Sequence, residues 1–114
     1  VLGSSMSRAD RELITDPSLA EFYADDQREA FRQGVRGPAD DAILLYQDWG
    51  FEVHDIEFPV MIYHGEEDHF APFTFAEYLH EHIPQSTLHR YPGQGHLFLY
   101  RLFDDVFQSV AAIG

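Results

Sequence analysis

The chain contains no cysteine and no lysine, and each gap excludes something. Without cysteine, neither a disulfide framework nor a thiolate metal site is available. Without lysine, the positive charge rests on 7 basic residues, all arginine, against 20 acidic ones, for a formal net charge of −13. A surface this acidic repels phosphate backbones, which argues against nucleic-acid partners. The acidic residues are spread along the chain, as on a solvated surface. Long apolar runs are missing too. None approaches the ~20 residues needed to cross a bilayer, and the N-terminus has no charged-then-apolar leader pattern. The expectation is a cytoplasmic protein with no membrane partner. With 114 residues, 45% of them apolar, the chain reads as one globular domain at most.

Val1 to Ser7, with Gly3-Ser4-Ser5, reads as a frayed start or a cut end. Asp16-Pro17-Ser18 has the pattern of a helix start, with Asp as the cap and Pro in the first helical position. Leu19, Phe22, Tyr23 and Ala30 then fall roughly on one face, and Gly34 ends the helix. Pro38 opens a second helix, in which Ala42, Leu45, Tyr46 and Trp49 follow helical spacing until Gly50. Phe51 to Phe58 is a mixed connection. Pro59 to His64 is a strand whose continuous apolar run predicts burial on both faces. Thr74 and Glu77 have capping-box spacing ahead of a helix with Phe75, Ala76, Leu79 and Ile83 on one side. Thr87 to Tyr91 is a second strand. A final helix carries Leu99, Leu102, Phe103, Val106 and Val110 on one face.

The order is α-α-β-α-β-α, an α/β chain with two parallel strands joined by a crossover helix. Two strands are too few for a stable sheet, so the remaining strands are expected elsewhere. Chemistry in parallel sheets collects at the carboxyl ends of strands. Asp68, in Gly65-Glu66-Glu67-Asp68, and His96, in Gly93-Gln94-Gly95-His96, both lie just past such ends. An Asp that orients a His is the back half of a nucleophile–His–acid triad. Glu66 and Glu67 are rival acids, and His64, Asp68 and His69 offer an alternative metal-ligand set on one loop. His80 and His82, two apart on a helix, point to different sides and do not suit one ion. Arg28, Arg32 and Arg36 read as a solvated face paired with Asp25 and Glu29.

These residues resemble the C-terminal part of the α/β-hydrolase superfamily. Pro59-Val60-Met61-Ile62-Tyr63-His64-Gly65-Glu66-Glu67-Asp68, followed by Pro72, looks like that family's acid strand and loop, and Gly93-Gln94-Gly95-His96 like its catalytic-histidine turn. Glu29-Ala30-Phe31-Arg32-Gln33-Gly34 and Trp49-Gly50-Phe51 are similar to its lid-to-core segment. The resemblance implies a lid-type helical segment over 1–58 and a core segment over 59–114. It implies Asp68 as triad acid, His96 as general base, Trp49, Phe51 and Phe70 as pocket-lining residues, and no cofactor. The family's Gly-x-Ser-x-Gly elbow is missing from these residues, and none of Ser4, Ser5, Ser7, Ser18, Ser86 and Ser109 follows a strand into a helix. The chain by itself is therefore expected to be inactive. In a longer enzyme it would serve a small-molecule substrate, joined to an N-terminal half or to another copy of itself. Two other readings stay open: a truncated, non-catalytic chain that associates through its sheet edge, and a small metal- or ligand-binding α/β module.

Overall fold

A computed structural model describes residues 6–112. Val1 to Ser5, including Gly3, Ser4 and Ser5 of the expected frayed start, lie outside the described residues. Met6 and Ser7 belong to the folded body instead, exposed to only 8% and 0%. Ser7 caps a helix, α1 (Arg8–Thr15), by accepting the Asp10 amide. This helix precedes the two that the sequence pattern indicates. Its polar sequence hides it, because only Leu13 and Asp10 of its residues are buried.

Helix α2 (Pro17–Ala30) starts as expected, with Asp16 as cap and Pro17 in the first turn. Helix α3 spans Arg36–Leu44 and stops short of the expected Trp49. Leu44, Leu45 and Tyr46 are all exposed, so no packing carries the helix further. The Trp49 indole N–H instead donates to the carbonyl of Leu44 at 3.1 Å. A single 3₁₀ turn, Val53–Asp55, occupies part of the connection to the sheet.

Strands β1 (Val60–Gly65) and β2 (Ser86–Tyr91) pair in parallel, in register from Val60 opposite Ser86 to Gly65 opposite Tyr91. Helix α4 (Phe73–His82) makes the crossover and packs on both strands. Its first turn has no side-chain cap: Glu77 does not close a box with Thr74 but pairs with Arg90 at 3.3 Å. Residues 60–64 are half-buried rather than enclosed on both faces, since the sheet has two strands and β1 has a free outer edge among the described residues. Helix α5 (Leu99–Ala111) is tied to β1 by a hydrogen bond between Tyr63 Oη and Ser109 Oγ at 2.7 Å.

A small core joins the start of the chain to its end. Met6 and Leu13 pack on Leu97, with Ile14, Leu19, Tyr23 and Tyr100 around them. Phe22 and Tyr23 meet the Tyr100 ring edge-on, and the Tyr100 hydroxyl donates to Asp26 at 3.0 Å. Burial, then Asp26, pushes the Tyr100 phenol up to about 12. Among the described residues no helix is long and apolar enough to cross a membrane.

Candidate active site

The loop after β1 and the turn after β2 lie side by side because Gly65 lets their backbones touch. A Cβ on Gly65 would run into the carbonyls of Gln94 and Gly95. The Glu67 amide donates to the Gln94 carbonyl at 2.9 Å, which locks the two segments together. Asp68 and His96 are thereby brought within one hydrogen bond.

His96 Nδ1 lies 2.8 Å from Asp68 Oδ2. The other carboxylate oxygen, Oδ1, accepts the amides of Phe70 at 2.8 Å and Ala71 at 2.9 Å. The Asp68 side chain is 5% exposed, while that of His96 is 47% exposed. Burial works to raise the Asp68 carboxyl, but the Ala71 amide, His96 and the Phe70 amide outweigh it and hold the group below its ordinary value. An ionised Asp68 assigns the proton to Nδ1 of His96 and leaves Nε2 with its lone pair. That is the arrangement of a general base. His64 comes no nearer to Asp68 than 3.8 Å, and its own Nδ1 is engaged with the Gly65 carbonyl at 2.9 Å. Glu66 is turned to Arg90 at 2.9 Å.

A cavity of about 350 Å³ opens beside the imidazole, lined by Met6, Ile14, Tyr23, Phe70, His96 and Leu97. The Phe70 ring centre lies 5.3 Å from that of His96. Trp49 and Phe51 stand apart from this lining and face each other across 6.0 Å, both about half exposed. A wider recess of about 850 Å³ occupies the elbow between α2 and α3 and shares no lining residue with the Asp68–His96 pair. Its rim charges pair locally, Arg32 with Glu29 and Arg36 with Asp40. Ser7, Ser18, Ser86 and Ser109 hydrogen-bond to Asp10, Asp16, His80 and Tyr63 respectively, not to His96. Among the described residues no three His, Cys, Asp or Glu side chains are grouped to hold a metal ion, so His64, Asp68 and His69 do not form a ligand set.

A third residue at these strand ends, Asp10, falls in no strand-end motif of the sequence. Its carboxylate is 1% exposed and accepts the backbone amides of His96 at 3.1 Å and Leu97 at 2.8 Å. The Ser7-x-x-Asp10 spacing of a helix cap is the one local signal of it, and that spacing does not point to residue 96.

Parallel strands with a hydrogen-bonded carboxylate–imidazole pair at their carboxyl ends define an α/β protein with a candidate site at the strand ends. Comparison with known proteins narrows this. Over 100 residues, 88% of the chain, it is 39% identical to the AB hydrolase superfamily protein YisY of Bacillus subtilis (strain 168), of which it covers 37%. Over 56 residues it is 36% identical to the serine hydrolase BPHL of Homo sapiens, of which it covers 19%. The chain thus spans little more than a third, or less, of the length of these relatives. No protein-family model matches it, and no solved structure matches it. The similarity relates the chain to the α/β-hydrolase superfamily.

Proposed function

We propose that these residues are the C-terminal part of an α/β-hydrolase-fold enzyme and supply two members of a nucleophile–His–acid triad. The observation that carries this is the 2.8 Å contact between His96 Nδ1 and a buried, ionised Asp68, at the carboxyl ends of two parallel strands. His96 takes a proton at Nε2 from a nucleophile, or from water, that lies outside these residues. Asp68 holds the tautomer and stabilises the cation that forms. Residues 59–114 are the core part and 1–58 the lid-type helical part. The apolar cavity beside His96 favours a small, uncharged substrate group. The cytoplasm is its place of action, and the 114-residue chain alone is inactive.

The test compares the parent full-length protein with Asp68→Asn and His96→Ala on p-nitrophenyl acetate, styrene oxide and 1-chlorobutane, which cover ester, epoxide and halide chemistry. Asp68→Asn is expected to lower kcat by about 10⁴-fold and His96→Ala by about 10⁶-fold, the costs of losing the acid and the base in serine-protease triads. Melting should stay cooperative. A loss under tenfold in either folded variant argues against the triad. A second reading, a non-catalytic chain that associates through its sheet, is favoured by the unpaired outer edge of β1 and by exposed Phe58, Phe75 and Phe107.

A further inference from the structure

The buried Asp10 does more than a helix requires. Capping of α1 is performed by Ser7, whose hydroxyl accepts the Asp10 amide at 3.1 Å. The Asp10 carboxylate is spent elsewhere. Oδ1 accepts the amide of Leu97 at 2.8 Å, and Oδ2 accepts the amide of His96 at 3.1 Å together with the Ser7 hydroxyl at 2.8 Å. The partners lie 86 and 87 residues away in sequence, and the carboxylate is fully enclosed. Gly95, just before the histidine, has no room for a side chain, because a Cβ there would collide with the Asp10 carboxylate and the Ser7 hydroxyl.

We propose that Asp10 is the positioning residue of the histidine turn, fixing the direction in which His96 is presented. The inference rests on the reading of His96 as the general base. The two amides that Asp10 binds belong to the peptide planes on either side of the His96 Cα. A planar peptide has no internal freedom, so anchoring both planes sets φ and ψ of residue 96 and with them the direction of its Cβ. Asp68 then has only the side-chain torsions left to fix. One carboxylate holds the backbone of the base, the other its ring.

The experiment uses the full-length protein with Asp10→Asn, Asp10→Ala and Ser7→Ala. Asn is isosteric, but its amide nitrogen cannot accept, so one of the two backbone bonds is lost. Three readouts are taken: amide hydrogen exchange at His96 and Leu97, the His96 Nδ1–H proton resonance, and kcat separately from KM. In folded Asp10→Asn, exchange at one or both amides should accelerate and the Nδ1–H resonance should shift or broaden. The kcat should fall about 10- to 100-fold, the scale of a misplacement near 1 Å, with KM within about threefold. Ser7→Ala keeps both amide contacts and should lose less. A folded Asp10→Asn with parental exchange, resonance and kcat overturns the proposal. Failure of both Asp10 variants to fold also overturns it, because Asp10 would then be a stability residue. Full activity in His96→Ala sinks the base assignment alone, since exchange and the ring resonance report the turn's geometry without turnover.

Discussion

Asp68 is the residue at which burial and hydrogen bonding pull in opposite directions, and the bonds prevail. A carboxyl lowered on folding adds stability that is fully present above its ordinary value. That stability is lost as the pH falls through the depressed folded-state value. Urea midpoints measured from pH 7 down to pH 3 should therefore drop for the parent protein, with a shallower fall in Asp68→Asn, which has no proton to bind. Equal slopes in the two proteins would assign the acid sensitivity to other carboxyls. At this scale Asp68 and His96 were legible because each follows a strand and a glycine, a pattern carried by a few adjacent residues. Asp10 was not. Its neighbours along the chain say helix cap, and its role comes from a turn that only the folded chain brings near.

Among the elements, the histidine turn is the most sterically constrained. Gly95→Ala forces a Cβ into the space filled by Asp10 and Ser7, a collision of overpacking type that costs about 1–3 kcal/mol. Gly37→Ala, inside α3 with open space around it, should be neutral or stabilising by about 0.5–1 kcal/mol. Chemical denaturation of both variants checks the contrast, and a Gly95→Ala as stable as the parent would deny the tight packing. The strands, α2, α4 and α5 were readable from periodicity and glycine or proline punctuation. The existence of α1 and the length of α3 were not, because α1 buries a single apolar side chain, Leu13, and the length of α3 depends on what its apolar side chains find to pack on. Tyr46 and Trp49 continue the helical spacing of α3, yet both end up exposed, and the helix stops before them.

The whole chain is looser than its length implies. Its radius of gyration is 15.9 Å, against about 13 Å for a compact domain of this size. Phe103, Phe107 and Val110 of α5 and Phe75 and Tyr78 of α4 remain exposed. An isolated 114-residue chain should therefore self-associate. Sedimentation equilibrium at tens of micromolar is expected to give a mass above the 13.1 kDa monomer, and a monomer at every concentration would contradict this. The link from Asp10 to His96 has a consequence in time. It closes a loop of 86 residues, and the entropy of bringing such distant ends together is about 4 kcal/mol. Contacts that span most of a chain form late in folding and yield early when an end detaches. On the proposed role of Asp10, the imidazole is aimed only after α1 has docked on the histidine turn, and it loses its aim as soon as α1 lets go.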